Sequence, residues 1–530
     1  MVLLLGRRCV RKILPCLLLA ALLGRAQAAE PEPASPYEGT AGFAPVSDVD
    51  RCVLAALEAR GIAPAHLCSD EVFLRRVFLG VLGTLPEPEE ALEFLRDEAP
   101  DKRARLVDAV LAREEYADYA SLRWCDALRV KAEFPINLWP NGAQAYHRWI
   151  RDALRANMPY DAFARALLTS SGSCYRTPPV NFYRAVQGRK PAHLAGAVAL
   201  TFLGARIDAW PAAQRDALAA FFSRVAYKPT REWKEEIVLL DPTPRGPLSA
   251  VLPDGSPAVI GPDDDPRRVF ADWLIRPENP WFARAAANRI WAWLLGRGVV
   301  HEADDLREDN PPSNPDLLDC LAKHLAASGW DLKSLYRLIL TSRTFQGSPI
   351  PRSRAPEAEA LFAYYPSRPI PAEVLIDALC GFDGEGQEYL SIVPEPYTFV
   401  PARQRTILLP DGTITSAFLE LFGRPARSTG LLSERGAQAT AGQRLHLLNS
   451  RDVQNHLQRS SLFRSRRGGG GLTRRDPVGW AYLCLLSRLP TAEERAKVSE
   501  HAQALGLSPF DAGTDTVWAL LNSKEFLYNH

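Results

Sequence analysis

Residues 48–61, with the sequence DVDRCVLAALEARG, carry the pattern that decides the fold class. The apolar positions Val49, Val53 and Leu57 recur at the spacing of one face of an α-helix, and Gly61 ends the stripe. A period of 3.6 residues cannot place the same side chains on one face of a β-strand, where the period is two. This stretch therefore predicts an amphipathic helix near the start of a helical domain.

Helix-start signals repeat along the chain. Pro88 is followed by two glutamates, which suit the positive end of the helix dipole, and Asp265 precedes Pro266 as an N-cap precedes the first helical position. Between these signals the apolar residues keep a helical period. We therefore predict a mainly α protein with helical modules at 47–236 and 265–463 and a C-terminal helical segment at 476–530.

Two short segments read as β-hairpins. In the first, 237–264, the apolar run 237–240 and a Pro-Asp-Gly turn at 253–255 predict a hairpin that links the two helical modules. A second Pro-Asp-Gly at 410–412 lies between Ile407 and Ile414 and predicts a minor hairpin near 406–416.

The N-terminal residues have the features of a signal peptide at 1–28. A basic start with Arg7, Arg8 and Lys12 precedes a short apolar run, and Ala26 and Ala28 supply the small residues of a cleavage site. We expect an exported protein, periplasmic or extracellular, without a transmembrane segment after cleavage. Residues 29–46 are predicted to be a flexible lead-in, and residues 464–475, rich in Gly and Arg, a mobile loop.

Charge and cysteine content exclude some functions. The formal net charge is +1, which is too small to attract nucleic acid electrostatically, so no nucleic-acid partner is expected. Removal of the signal peptide leaves seven scattered cysteines and no C-x-x-C, so a zinc knuckle or redox pair has no support. Cys52 and Cys68 are near enough in sequence to pair in an oxidising compartment. We expect no cofactor.

Many short motifs lie in two groups along the chain. The first group is RRVFL (75–79), GTLP (83–86), DKR (101–103) and MPYD (158–161). The second group is DPRR (265–268), NP (279–280), NRIW (288–291), GRG (296–298), NPPS (310–313), SGWD (328–331), TSRTF (341–345), FGRP (422–425) and LLNS (447–450). In this order, the two groups resemble the two paired domains of unknown function of the secreted planctomycete-type, cytochrome-c-associated proteins.

One departure separates this chain from many members of that family. The resemblance implies a haem-type C-x-x-C-H after the stretch equivalent to 202–204, but residues 205–211 here are ARIDAWP. Covalent haem attachment needs the two cysteines and the histidine, and none of the three is present. The sequence therefore resembles a haem-lacking variant.

The first candidate site is an acidic segment that contains His301, Asp304 and Asp305. Oxygen-rich clusters suit hard cations, so these residues are weak candidates for metal ligands, although no recognised metal-binding spacing is present. The alternative is structural: the aspartates pair with neighbouring cations such as Arg307 and fix a loop.

The second candidate site combines a helix face with the loop before it. Gln443, His446 and Asn449 fall on one side of a predicted helix. His446, Glu434 and Arg424 are the candidate catalytic residues, since a neutral histidine beside paired charges can act in acid–base chemistry. Structural locking of the loop to the helix is the alternative. The candidate ligand-binding residues of this group are Arg427, Arg435, Gln443 and Asn449.

The third candidate site is a pair of loops rich in aromatic, Asn and Arg residues, at 134–141 and 178–184. Aromatic faces with amide hydrogen bonds are a common means of holding sugars and polymers. The alternative is that proline and aromatic side chains pin these loops to the core. The candidate ligand-binding residues are Asn137, Trp139, Asn181, Tyr183 and Arg184.

No common hydrolase or nucleotide-binding motif is present in the sequence. The pattern therefore favours a non-enzymatic envelope protein that binds a partner protein or a glycan polymer. The alternative is an enzyme acting on an extracytoplasmic polysaccharide, centred on residues 424–449.

Overall fold

A computed structural model describes residues 35–39, 41–243, 246–381, 386–389, 391–393, 395–436, 438–459 and 476–530. The predicted signal peptide, 1–28, and the Gly/Arg-rich loop, 464–475, lie outside these described residues. Within them, no helix combines the length and the apolar character that crossing a bilayer requires.

Helices dominate the first half of the chain, as their apolar periodicity predicts. They are α1 (Asp48–Glu58), α2 (Asp70–Val77), α3 (Pro88–Arg96), α4 (Lys102–Ala112), α5 (Glu114–Ala127), α6 (Pro140–Arg155), α7 (Tyr160–Thr169), α8 (Asn181–Arg184), α9 (Pro191–Val198) and α10 (Ala212–Ala220).

The second half is also helical. Its helices are α11 (Pro266–Leu274), α12 (Phe282–Leu295), α13 (Pro315–Ala327), α14 (Leu332–Thr341), α15 (Ala372–Cys380), α16 (Ala417–Leu421), α17 (Ala441–Asn449), α18 (Arg451–Arg459), α19 (Pro477–Leu486), α20 (Ala492–Leu505), α21 (Pro509–Leu521) and α22 (Lys524–Leu527). The predicted start of α11 is confirmed: the Asp265 carboxylate accepts from the Arg267 amide, with Pro266 at the first position.

Two helices widen into a π-helical turn before they end. Phe78–Leu82 continues α2, and Ala199–Leu203 continues α9. The second turn stops at Gly204, whose φ of 61° is in the left-handed region, and a Cβ there would lie 2.8 Å from the Leu306 side chain. Glycine therefore allows the chain to turn out of α9 while packing closely on residue 306.

Among the residues that the structure describes, the β-structure is limited to small antiparallel sheets. β1 (Gly172–Ser173), β2 (Val225–Pro229) and β3 (Glu236–Leu240) form one sheet in the order β1-β3-β2. The predicted strand at 237–240 exists, but it pairs with β2 and β1. The Pro-Asp-Gly turn at 253–255 does join a hairpin, which consists of β4 (Leu248–Val251) and β5 (Pro257–Ile260). A third sheet pairs β6 (Arg368–Pro369) with β7 (Tyr528–Asn529).

The second predicted hairpin, near 406–416, is wrong. Residues Thr406–Leu408 form a 3-10 turn, and no strand of the described chain includes the flanking isoleucines. The turn at 410–412 instead docks on a distant loop: the Asp411 carboxylate accepts from the Ala132 amide at 2.8 Å, and the Gly412 amide donates to the Val130 carbonyl at 3.0 Å. The Gly412 bond satisfies a backbone amide of the turn, and the Asp411 bond fixes the turn against residues 130–132.

Two hydrophobic clusters form the core. The larger one draws residues from Val49 to Tyr365 and also includes Leu483, with α12 buried along almost its whole length. The smaller cluster is built largely from residues 370–526, and Leu79, Tyr119 and Leu122 of the first half also belong to it. Side chains from both halves of the chain therefore share each cluster.

The predicted flexible lead-in, 29–46, is packed where the structure describes its middle. The Tyr37 hydroxyl donates to Glu525 at 3.1 Å, and its ring meets the His530 ring edge-on. The Gly39 amide donates to the Leu67 carbonyl at 2.8 Å. Burial of the Tyr37 ring and backbone hydrogen bonding at Gly39 thus hold in place residues that their composition predicted to be flexible.

Candidate functional site

The arginines of the second candidate site are buried ion-pair partners of two acids that the sequence did not single out. Arg435 pairs with Glu373 at 2.6 Å and with Asp126 at 2.7 Å. Arg427 pairs with Asp126 at 2.9 Å, and Arg424 lies 3.4 Å from Glu373. We name these five residues the arginine network. It connects α5, α15 and the loop 424–435.

Electrostatics show how strongly the arginine network is coupled. Burial alone would raise the pKa of Glu373, but the charges of Arg435 and Arg424 outweigh it and lower that pKa to about 2. Burial would lower the pKa of Arg435, and the two carboxylates Glu373 and Asp126 raise it instead. The charged forms of these groups therefore hold one another in a site closed to solvent.

Arg424 and Arg427 are further tied to the turn at 410–414. Arg424 donates to the carbonyls of Ile414 and Asp411, and Arg427 donates to the carbonyl of Pro410 at 3.2 Å. Through these contacts, the two guanidinium groups hold the loop against the turn and fix its fold.

The other residues of the second candidate site do not join the arginine network. The Glu434 carboxylate accepts from the backbone amides of Ser428 at 2.8 Å and Thr429 at 3.1 Å. His446 packs edge-on against Phe418, with 5.5 Å between ring centroids. Among the described residues, the structure gives no hydrogen bond between Arg424, Glu434 and His446.

Gln443 and Asn449 also lie apart from the arginine network. Gln443 completes the N-terminal capping box of α17 and donates to the Leu421 carbonyl at 3.0 Å. Asn449 is exposed at the last position of the same helix. We expected Arg424, Glu434, His446 and Asn449 of the second candidate site to meet in one polar cluster. That expectation is wrong, because Glu373 and Asp126 supply the arginine partners.

The acidic segment is held by cations and a backbone amide. Asp304 accepts from Arg206 at 2.9 Å and from the Leu432 amide at 2.9 Å, while Asp305 pairs with Arg307 at 2.9 Å. His301 is exposed. Over the described ranges, no group of three or more His, Cys, Asp or Glu side chains is arranged to hold a metal ion.

The two loops of the third candidate site meet through Arg184. Its Nη1 donates to the Leu138 carbonyl at 3.2 Å and to the Asn181 side-chain oxygen at 2.8 Å, and its Nε donates to Glu236 at 3.0 Å. Asn181 in turn donates to the Cys174 carbonyl at 2.7 Å. These groups are buried, so they position the loops and are not themselves presented to a ligand.

Tyr183 is buried in the same way. Its hydroxyl donates to the Leu168 carbonyl, and burial raises the pKa of this phenol far above its ordinary value. The backbone carbonyl of Tyr183 accepts from the Tyr227 hydroxyl at 2.8 Å. Tyr183 is thus a core residue that joins α7 to the strand β2.

Above this scaffold, three aromatic rings from distant segments form a cluster at the surface. The ring centroids lie 4.7 Å apart for Trp139 and Trp233, 4.8 Å for Trp233 and Tyr397, and 5.7 Å for Trp139 and Tyr397. The Lys234 ammonium lies 5.3 Å from the centroid of the Trp139 ring. We name these four residues the aromatic surface.

The aromatic surface is accessible to a ligand. Trp233 is 53% exposed and Tyr397 is 38% exposed, which is unusual for side chains with so much apolar area. Asn137 is exposed and lies two residues before Trp139 in the sequence. Its side-chain amide can both donate and accept hydrogen bonds. Apolar faces next to such groups can stack on a sugar ring and bond its hydroxyls.

Sequence reasoning found Asn137 and Trp139 but missed Trp233, Lys234 and Tyr397. A signal for Trp233 was present: it is the one aromatic residue in the charged run REWKEE, 231–236, where a buried side chain is not expected. Tyr397 had no comparable signal, because its approach to Trp139 depends on how residues separated by more than 250 positions pack.

The segment that replaces the family's haem-attachment motif lines a separate cleft. Residues 205–208 form part of its wall, and Arg206 there pairs with Asp304. The described residues that line this cleft include no cysteine or methionine. Covalent haem attachment does not fit this donor set, because no thiol can form the thioether bonds.

These features define a mainly helical protein with small antiparallel sheets. Residues 48–202 match PSCyt2, a protein of unknown function (DUF1549), and residues 266–502 match PSD1, a protein of unknown function (DUF1553). The chain belongs to the planctomycete cytochrome-c-associated proteins that carry these paired domains. Trp233 and Lys234 lie between the two matched regions. No curated protein and no solved structure matches the chain.

Proposed function

We propose that this protein is an exported envelope protein, without covalent haem, that binds a glycan polymer through the aromatic surface. The observation that carries the proposal is the contact of Trp139, Trp233 and Tyr397 in a half-exposed cluster. Aromatic side chains offer a large contact area at little entropic cost, and CH groups of a sugar ring pack well on their faces.

A binding role is supported further by the rigidity of what lies beneath the rings. Arg184 is tied to the residue before Trp139 and to the strand that follows Lys234. The Tyr175 hydroxyl also donates to the Trp233 carbonyl at 3.0 Å. A surface whose loops are fixed in this way loses little conformational entropy when a ligand docks.

We do not propose the alternative, an enzyme acting on an extracytoplasmic polysaccharide. In the region 424–449, the arginines neutralise buried carboxylates, Glu434 caps a loop, and His446 packs on a phenylalanine. General acid–base catalysis requires an acid and a base that reach the same reacting group. These side chains have separate structural partners instead.

Affinity electrophoresis under native conditions tests glycan binding. The purified protein is run through gels that contain xylan, hydroxyethyl cellulose or an acidic seaweed polysaccharide, with a glycan-free gel as reference. We expect retardation in at least one gel, and we expect Trp233→Ala to remove it. Trp518→Ala is the matched control, because Trp518 is 39% exposed on α21. Equal retardation of both variants, or no retardation by any glycan, would overturn the proposal.

The export part of the proposal is tested separately. Signal peptidase requires small residues before the cleavage point, which Ala26 and Ala28 supply, so the mature chain should begin at Ala29. N-terminal sequencing of the native protein measures this directly. A native protein that retains Met1 would contradict export through this route.

A further inference from the structure

A cleft of about 760 Å³ opens between α9, α10 and the loop 428–431. This volume is in the range of sites that hold small organic molecules. The cleft does not include any residue of the aromatic surface. It is therefore a second place at which the described chain could hold a ligand, independent of glycan binding.

One wall of the cleft is apolar and unusually open. Ala192, Gly196, Ala197 and Leu200 line it from α9 and the π-helical turn that follows. A Cβ added at Gly196 would meet no atom within 4 Å, so the helix leaves free space at this point. Small side chains along one helix face give a flat apolar wall against which an apolar body can pack.

The opposite side carries positive charge. Arg129 is only 3% exposed, and it donates to the carbonyls of Ala185 at 2.7 Å and Ala127 at 3.2 Å. Its Nη2 is buried without a hydrogen-bond partner in the described chain. Burial lowers the pKa of Arg129 to about 10, so the group remains charged at neutral pH. Arg129 forms no ion pair with a described residue, although the charge of Glu434 acts on it from a distance. Burying a charge without a paired partner is costly, and an anion that paired with Nη2 would reduce that cost.

The other arginines of the cleft differ in their pairing. Arg206 is neutralised by Asp304 at 2.9 Å and Glu302 at 3.4 Å. Arg215 is half-buried and forms no ion pair with any described residue. The two carboxylates of the lining, Asp208 and Asp216, are exposed. Within the described residues, Arg129 and Arg215 therefore have no ion-pair partner, and the carboxylates of the lining lie toward solvent.

We propose that this cleft binds an organic anion with an apolar body, such as an aromatic or alkyl carboxylate, which packs on the Gly196 face and pairs with Arg129 and Arg215. A guanidinium presents several donors in a plane that matches a carboxylate. The apolar wall and the buried cation together select against both neutral apolar molecules and small inorganic anions.

Isothermal titration calorimetry with 2-naphthoate and 2-naphthamide tests the charge requirement. The two molecules have the same ring system and differ in the anionic group. We expect naphthoate to bind at least about tenfold more tightly than the amide, because a hydrogen bond to a charged group contributes more than one to a neutral group. Arg215→Gln should weaken naphthoate binding and leave the amide unchanged. Equal affinity for both molecules, or no binding of naphthoate, would overturn the proposal.

The place of binding is tested by filling the cleft. Gly196→Leu puts a side chain into the open space without a backbone clash and adds a better helix former, so the fold should be kept. We expect it to abolish naphthoate binding, and the smaller Gly196→Ala to weaken it. Gly42→Leu is the matched control, since Gly42 also has nothing within 4 Å of the added Cβ and lies outside the cleft. Naphthoate binding that survives in Gly196→Leu would overturn the assignment.

Discussion

Arg184 and Glu236 form an ion pair, with 3.0 Å between Nε and the carboxylate, and Glu236 follows Lys234 of the aromatic surface by two residues. Only 5% of the Arg184 side chain is exposed, while the second partner of Glu236, Arg189, is 59% exposed. One carboxylate therefore has a buried cation on one side and a solvated cation on the other. This pair joins the loop before Trp139 to the strand that follows Lys234.

Arg184→Met should destabilise the protein and disturb the aromatic surface. Removing one partner of a buried pair leaves the other charge less compensated, which costs about 3 kcal/mol or more. Arg189→Met removes the exposed partner of the same acid and should cost less than about 1 kcal/mol. Chemical denaturation measures the free energy of unfolding of both. Similar losses in the two variants would show that burial does not decide the strength of the pair.

Acid sensitivity should depend on Glu373. The folded-state pKa of Glu373 is about 2, which is below its ordinary value of 4.5. The stabilisation of the folded state by the ionised Glu373 is therefore complete above about pH 4.5 and is lost as the pH falls toward 2. The difference corresponds to a stabilisation on the order of 3 kcal/mol. Glu373→Gln should be less stable at neutral pH and should lose less stability between pH 4.5 and 2.

Denaturation at a series of pH values measures this effect. Glu420→Gln is a suitable control, because Glu420 is an exposed acid on α16 with no described ion pair. That control should keep the pH profile of the unmodified protein. If Glu373→Gln also keeps it, the arginine network does not set the acid sensitivity.

We predict a disulfide between Cys52 and Cys320, which are distant in the sequence. The sequence favours Cys52 and Cys68 as a disulfide, but the helix α1 that carries Cys52 packs against α13, which carries Cys320. Burial raises the pKa of the Cys52 thiol, and the neighbouring Cys320 thiol lowers it, so the two groups lie close together. Cys68 lies at a β-bridge with Glu38. In an oxidising compartment, transfer of two electrons and two protons to a disulfide-bearing oxidant would join Cys52 to Cys320.

Peptide mapping by mass spectrometry under non-reducing conditions detects this bond. We expect a linked peptide pair that contains Cys52 and Cys320 in protein isolated from the native source. We also expect the bond to raise the free energy of unfolding by about 2–4 kcal/mol, since it closes a long loop. A linked pair of Cys52 and Cys68, or free thiols at both Cys52 and Cys320 in exported protein, would contradict the prediction.

Haem should be absent from the covalent structure. Residues 205–211 lack the two cysteines and the histidine that thioether attachment and iron ligation require. The absorption spectrum of the protein, taken after denaturation and acid–acetone extraction, should contain no Soret band. A band that survives this treatment would show attachment at another position of the chain.

Local sequence signals were sufficient for the helix starts at Pro88 and Pro266 and for one hairpin. The cap at Asp265 and the proline at position 266 depend only on neighbouring backbone groups, so they are visible in a short window. The turn at 253–255 joins strands that are adjacent in sequence, and it was predicted for the same reason. The exposed loop with Asn137 and Trp139 could also be identified from its residues alone.

Tertiary packing decided which side chains became partners. Arg427 and Asp126 are separated by 301 positions in the sequence, and Arg435 and Asp126 by 309. In the sequence, Glu434 is the acid nearest to Arg435. In the structure, however, the Glu434 carboxylate accepts from the Ser428 amide of its own loop. Likewise, the turn at 410–412 formed no hairpin because residues 130–132 satisfied its hydrogen bonds. Periodicity and capping are short-range effects that a sequence displays, whereas ion pairs and aromatic contacts form wherever burial brings distant segments together.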